Sequence, residues 1–338
     1  MPFQYGRLLL LHRVRSLLIQ YSYQNITIQD ASILKNQLKA KVDIKDPHLS
    51  AQASLAFSID GPINYQYELS VANADLSLLG VGEREQNHLS FDLRGEIQGP
   101  SWSNISGYAS ASNLLYREVN ERLYTELAQV HFNQSNDDTF LQFSSPMLDL
   151  NIAGHIDFEH ISNDLLHHLA IVYPSLEPEA GSAIQSSSNV TFDLQVRNAK
   201  DLLAIFVPDL TIASNSRFSG SFDSKNENLE FKINSPSLAY QDFRFDNVVF
   251  DQQITSENTT GGLQIALVSY ADSTNFHDLK FVNQGSKGVL DAVVSWDPQT
   301  NDFSEIKWRT TFLPEDILNF NLQPSFFTVN GVQWEIAN

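Results

Sequence analysis

The chain has 338 residues, no cysteine and a formal net charge of -19, from 40 acidic and 21 basic side chains. An acidic surface repels phosphate backbones, so we expect no nucleic-acid partner. The lack of cysteine excludes disulfides and thiolate metal sites. With 42% hydrophobic and 18% charged residues, the chain is too apolar for a disordered protein and fits a β protein.

Residues 1–22 combine a short apolar run, Leu8 to Leu11, with the basic residues Arg13 and Arg15. The run is too short for a membrane span or a signal-peptide core. We expect an ordinary strand or helix here, with a basic amphipathic segment that touches a membrane as the alternative. Any anchor or export signal is expected to lie outside this chain.

From residue 23 onwards, short runs of alternating apolar and polar residues are separated by turn signals such as Asp60-Gly61-Pro62. The alternation is clear at 38–44, 65–71, 89–93, 148–152 and 190–196. Successive strand side chains point to opposite faces, so each run predicts a strand with one apolar and one polar face. The pattern leaves open which face is covered, because one bulge reverses the assignment.

Three short helices are predicted, each beginning with Asp and two apolar residues, at 164–166, 201–203 and 316–318. An Asp near a helix start accepts hydrogen bonds from free backbone amides and favours the helix dipole. We expect these helices to dock on a sheet by their apolar residues.

A weak internal repeat joins Ser145-Pro146 to Ser235-Pro236, where a proline is expected to open each strand. Chance similarity of such short strings is the alternative. The repeat suggests one continuous β domain over 23–338, with approximate repeats at 23–105, 106–180 and 181–338.

No signature of an enzyme is present, so we expect no catalytic residue, no cofactor and no enzymatic activity. Four histidines lie close together in the sequence, at 155, 160, 167 and 168. No metal-ligand spacing recurs among them, so we interpret them as residues of the polar face and expect no metal site. Asp137-Asp138 is interpreted as a solvated hairpin tip, because it lacks the glycine and the later carboxylate of a calcium loop.

The order of several degenerate motifs resembles the TamB-type translocation and assembly module proteins of the Bacteroidetes, over about residues 20–338. The motifs are Asp46-Pro47-His48-Leu49, the stretch Tyr65 to Val71 with Ala74 to Gly80, Gly107 to Tyr116, Leu141 to Leu148, Ile152 to Phe158, Leu313 to Leu322 and Phe326 to Trp334. The resemblance implies a mainly β chain, a long curled antiparallel sheet (a repeating β-groove, or taco) with a few short clip helices.

The same resemblance implies a piece of a periplasmic protein of the AsmA and TamB type, anchored to the inner membrane by a segment outside this chain. Such proteins are expected to carry phospholipid to the outer membrane in an apolar groove. An Omp85-type outer-membrane assembly protein is the implied partner, through regions absent here.

We expect acyl chains to lie along apolar residues of one face, whose candidates are Tyr65, Tyr67, Leu69, Val71, Leu89, Phe91, Leu93, Leu148, Leu150, Ile152, Phe192 and Leu194. For the aromatic residues, packing in a closed core is the equal alternative. Two other functions stay open. One is a scaffold for outer-membrane protein or autotransporter assembly, and the other is a closed β-sandwich adhesin.

Overall fold

The structure is a computed structural model that describes residues 22–79, 87–135, 138–157, 160–170, 187–271, 274–286, 288–313 and 317–336. Residues 1–22, for which we expect an ordinary strand or helix, lie outside the described residues except for Ser22. The described residues form 21 strands and two short helices.

The first seven strands follow one another in the sequence. They are β1 (Ile26–Leu34), β2 (Gln37–Lys45), β3 (Leu49–Ser58), β4 (Ile63–Asp75), β5 (His88–Ser101), β6 (Asn104–Arg117) and β7 (Arg122–Gln134). Each of β1 to β6 pairs antiparallel with the next strand in the sequence. This is the meander that short turn-separated alternating runs predict.

The middle of the chain contains both helices. Its elements are β8 (Thr139–Ser144), β9 (Leu148–His155), α1 (Ile161–Ala170), β10 (Asn189–Val196), α2 (Lys200–Phe206), β11 (Leu210–Ile212), β12 (Arg217–Asp223) and β13 (Asn228–Tyr240). Strand β10 pairs with β9 and β12, whereas both β11 and β12 pair with β13.

The last elements are again a meander of antiparallel pairs. They are β14 (Phe243–Thr255), β15 (Thr259–Tyr270), β16 (Thr274–Ser286), β17 (Val289–Trp296), β18 (Ser304–Leu313), β19 (Ile317–Leu322), β20 (Ser325–Val329) and β21 (Val332–Ile336). All 21 strands belong to one antiparallel sheet. The prediction of a mainly β chain built on one long open antiparallel sheet with a few short helices is confirmed.

The third predicted helix is wrong, because residues 317–322 form strand β19. This strand pairs with β18 over six positions, from Ile317 opposite Leu313 to Leu322 opposite Trp308. The cap-like Asp316 was a local signal, and the ladder with β18 overrides it.

The prediction that a proline opens each strand is wrong for Pro236, which lies inside β13. On one side of β13, the pairing with β12 ends at Asn234 and the pairing with β11 begins at Leu238. Pro236 therefore lies opposite an interruption of the neighbouring strand, where its missing N–H breaks no ladder bond.

The chain divides into two compact units, and each is described by itself. Unit 1 comprises Met1–Asn136, Gln142–Met147 and Ala204–Phe206, and unit 2 comprises Asp137–Leu141, Leu148–Leu203 and Val207–Asn338. The division passes through β8 and α2. The three approximate repeats stay a prediction.

Each unit has a small cluster of buried apolar residues against the sheet. In unit 1 the cluster contains Ala51, Val71, Ala74 and Leu79. In unit 2 it contains Val248, Ile265 and Val268. Many further apolar side chains pack around these clusters and stay only partly buried.

Candidate functional site

The strand register of unit 1 aligns apolar residues into rows that run across the strands. Residues directly opposite each other in an antiparallel pair point to the same face. One row crosses β1 to β7 without a polar side chain: Ile28, Val42, Ala53, Leu69, Leu93, Ala111 and Ala128. The neighbouring row is Ala40, Leu55, Tyr67, Gly95, Ala109 and Val130. These rows define the apolar face of unit 1.

All seven candidate residues of unit 1 lie on this face. Leu69 is opposite Leu93, and Val71 is opposite Phe91. Leu89 follows a bulge and packs, like Leu69 and Phe91, against the buried cluster of the unit. Val71 is buried, whereas the other six candidates, Tyr65, Tyr67, Leu69, Leu89, Phe91 and Leu93, are half-buried. The face is thus apolar and still partly accessible.

Aromatic rings of unit 1 lie across glycines of the neighbouring strand. A Cβ placed on Gly95 would meet the Tyr67 ring at 2.6 Å, and one on Gly107 would meet the Phe132 ring at 2.9 Å. Burial raises the pKa of the Tyr67 hydroxyl, with a smaller effect from Tyr108. Glycine is required here because the ring occupies the space of its missing side chain.

The opposite face of unit 1 carries charged and polar side chains, among them Lys41, Glu68, Asp92 and Arg94. A hollow of about 650 Å³ is lined largely by these polar residues. Asp92 accepts hydrogen bonds from Ser70 Oγ at 2.6 Å and Asn113 Nδ2 at 3.1 Å, which hold the pKa of its carboxyl below the usual value. Ten of the fourteen residues that line the hollow are polar, and the other four, Val42, Ala53, Leu69 and Leu93, belong to the first apolar row.

Unit 2 has the same arrangement over more strands. A row without a polar side chain crosses nine strands, β9, β10 and β12 to β18: Leu150, Leu194, Phe218, Ile233, Phe250, Leu263, Phe281, Val294 and Ile306. The side of the sheet that holds this row is the apolar face of unit 2. The five candidates of unit 2 lie on it, half-buried, and Ile152 is opposite Phe192. Leu148 is opposite Val196 at one end of β9.

Seven of the candidate residues lie in unit 1 and five in unit 2, and each group is described within its own unit. Within each unit, however, residues far apart in the sequence become neighbours. Leu150 and Leu194, for example, are separated by a helix and many residues and face each other across β9 and β10.

One polar group interrupts the apolar face of unit 2. Gln252 on β14 and Asn283 on β16 exchange hydrogen bonds of 3.0 and 3.3 Å above Gly261 of the strand between them. A Cβ at Gly261 would overlap the Gln252 side chain. Asn283 is only 7% exposed. The two amides satisfy each other, which limits the cost of burying them.

The sequence analysis missed two residues at which a strand changes which alternate side chains face the buried cluster. Asn247 in β14 has φ 52° and Asp278 in β16 has φ 49°, both in the left-handed region. Phe245 before Asn247 and Val248 after it have opposite parity, yet both pack in the buried cluster of unit 2. The side chains that face the cluster therefore change parity at Asn247. The signal in the sequence is an Asn or Asp at the position where the apolar alternation changes phase, since these residues tolerate this backbone.

The interpretation of all four neighbouring histidines as polar-face residues is wrong for His168, which is fully buried. In the parts of the chain that the structure describes, no three His, Asp or Glu side chains are grouped to hold a metal ion. Neither of the two described helices is long and apolar enough to cross a membrane.

Comparisons with protein-family models, curated proteins and solved structures gave no match. The interpretation of the two apolar faces therefore rests on their own geometry.

Proposed function

We propose that this chain is a non-enzymatic segment of a TamB-like protein of the cell envelope that shields phospholipid acyl chains on its apolar faces. In this proposal it acts in the periplasm, on lipid that moves to the outer membrane, and an anchor in the inner membrane lies outside the chain. The observation that carries the proposal is the unbroken apolar row across seven strands of unit 1 and nine strands of unit 2.

The dimensions of the rows suit an acyl chain. Neighbouring strands are about 4.8 Å apart, so a row over seven strands spans roughly 29 Å. One leaflet of a bilayer core is about 15 Å thick, half of the usual 30 Å. Exposing a chain of about 16 carbons to water costs on the order of 13 kcal/mol, at about 0.8 kcal/mol per methylene. Either face is long enough to remove a large part of that cost.

The arrangement of strands supports an accessible face. A closed β-sandwich needs a second sheet that packs against the first. The described strands all belong to one sheet, and most candidate residues remain half-buried instead of being sealed. This favours lipid shielding over the adhesin alternative.

The test places a charge on the apolar face of unit 2. We expect Leu150→Asp and Phe192→Asp each to lower the phospholipid that co-purifies with the protein several-fold, because a buried carboxylate opposes an acyl chain. Thr191→Asp is the matched control, since Thr191 is the exposed neighbour of Phe192 on the other face. Circular dichroism must show folded variants, and unchanged lipid in folded Leu150→Asp and Phe192→Asp would refute the proposal.

A second candidate function is a scaffold for outer-membrane protein or autotransporter assembly with an Omp85-type partner. One observation favours it: all nine residues of β1 are exposed, including Ile26 at 51% and Ile28 at 65%. An exposed edge strand can accept a strand of another protein. Replacing Thr27, which is exposed on the polar side of β1 opposite Asp43, by lysine should impair outer-membrane protein assembly in cells if this function holds, while the lipid content of the protein stays unchanged.

A further inference from the structure

Helix α1 lies on the apolar face of unit 2. The His168 ring meets the Phe222 ring edge-on, with the ring centroids 4.9 Å apart. Phe222 is opposite Val190 on β10, and it shares a face with Phe218, which is opposite the candidate residue Leu194. The helix therefore covers one end of the face on which we propose that acyl chains bind.

The side of α1 that faces the sheet is polar. Asp164 is 3% exposed and His168 is fully buried, whereas Leu165 and Leu166 are 37% and 39% exposed. With about 100° per residue, Leu165, Leu166 and the half-buried Leu169 are centred on the side of the helix away from Asp164, and Leu165 lies about 60° from His168. A surface helix normally packs its apolar side against the core. Helix α1 instead buries Asp164 and His168, with Ala170 as its one buried apolar residue.

The polar side of α1 is also incompletely hydrogen-bonded. His168 Nδ1 is 2.7 Å from the backbone oxygen of Asp164, and because that oxygen only accepts, Nδ1 donates. Both His168 Nε2 and Asp164 Oδ2 are buried without a hydrogen-bond partner. Such groups destabilise a packed contact relative to one in which water reaches them.

We propose that α1 is a lid that turns when an acyl chain occupies the apolar face of unit 2. In the turned state Leu165, Leu166 and Leu169 cover the chain, and Asp164 and His168 reach water. An acyl chain can form no hydrogen bond with Asp164 Oδ2 or His168 Nε2, so its arrival makes the polar packing less favourable and the leucine packing more favourable. This inference rests on the proposed function.

The first test removes the apolar side of the lid. The double variant Leu165→Ser with Leu166→Ser should leave the lipid-free protein folded, because more than a third of each leucine is exposed there. Its co-purified phospholipid should fall several-fold. Ser162→Ala with Asn163→Ala is the matched control, since both residues are exposed on the same helix. Unchanged lipid in the leucine variant would overturn the lid.

The second test follows the helix directly. The chain has no cysteine, so Leu166→Cys gives a single site for an environment-sensitive fluorophore. Vesicles of phosphatidylethanolamine and phosphatidylglycerol should shift the emission of the fluorophore to the blue. Adding Asp164→Leu should weaken that shift, because leucine at 164 stabilises the packing of the lipid-free state. If the labelled protein takes up vesicle lipid without any shift, the lid is wrong and the proposed function stands. If it takes up no lipid at all, the proposed function itself is wrong.

Discussion

Single glycines determine how closely the strands of the apolar faces approach each other. The Phe192 ring lies over Gly220 of β12, where an added Cβ would come within 2.6 Å of the ring and closer still to the backbone oxygen of Glu230. Such an overlap forces a shift of ring and strand, which typically costs about 1 to 3 kcal/mol.

We therefore expect Gly220→Ala to lower the free energy of unfolding by about 1 to 3 kcal/mol, measured by chemical denaturation. Gly262→Ala is the control, because the nearest atom to its added Cβ is the Phe281 oxygen at 3.3 Å. A Gly220→Ala protein as stable as the Gly262→Ala protein would show that the ring does not occupy this space.

The ion pair between Asp291 and Arg309 links stability to pH on the polar face. Arg309 donates from Nε and Nη2 to the two carboxylate oxygens, at 2.7 and 2.8 Å. These hydrogen bonds and the charge of Arg309 hold the pKa of Asp291 below its usual value. Because the folded pKa is the lower one, the pair stabilises the fold above the ordinary pKa of about 3.9. That contribution is lost as the pH falls through the folded pKa.

The melting temperature of the wild type should thus exceed that of Asp291→Asn at neutral pH, and the difference should narrow below about pH 4. The difference in melting temperature between the wild type and Arg309→Gln should narrow over the same pH range. Added salt should reduce both differences at neutral pH, because both side chains are partly exposed. A difference that stays constant from pH 7 to pH 3 would contradict this interpretation.

At the residue scale, the sequence predicted which candidates share a parity but not what lies above or beside them. Leu69 and Leu93 could be placed on apolar faces from alternation alone. Their pairing across β4 and β5 depends on the strand register, which bulges between Val71 and Ala74 and between Ser90 and Asp92 change locally. The bridge between Gln252 and Asn283 depends on two registers at once, so no local pattern reveals it.

Individual strands keep their apolar residues on one face by means of left-handed residues in their interiors. Asn247 in β14 adopts φ 52°, and the inward positions change parity at this point. A β-branched residue is costly in that conformation, whereas Asn tolerates it. Strand propensity alone would favour valine at this position.

We expect Asn247→Val to destabilise the protein by about 1 to 2 kcal/mol, opposite to the direction that strand propensity suggests. The control is Gln253→Val, because Gln253 is exposed on the same strand and does not have a positive φ. Thermal melts of both variants decide the matter, and a stabilised Asn247→Val protein would show that the backbone is not left-handed there.

At the element scale, alternation was sufficient to predict most strands, and an Asp followed by two apolar residues correctly predicted two helices. It failed at 317–322, where Asp316 followed by apolar residues is equally compatible with a helix start and with an edge strand. Pairing with β18 decides between them, and that pairing is a long-range property. Helix α1 was predicted, but it buries Asp164 and His168, whereas we expected it to dock on the sheet by its apolar residues.

At the scale of the molecule, the open antiparallel sheet could be predicted because the same alternation recurs along the chain. The function could not be read from catalytic or ligand motifs, since an acyl chain is bound by apolar area and not by particular polar atoms. The proposal therefore stands on which face of the sheet the lipid contacts.

Site-specific photo-crosslinking measures that contact most directly. A photoreactive amino acid is placed at Leu69, Leu93 or Leu194 on the apolar faces, and at Glu68, Arg94 or Gln195 as the neighbouring positions on the polar faces. After irradiation in cells, phospholipid attached to the purified protein is detected by mass spectrometry. The account predicts lipid adducts at the three leucine positions and little or none at their polar neighbours. Equal adducts on both faces, or adducts only on the polar faces, would contradict it.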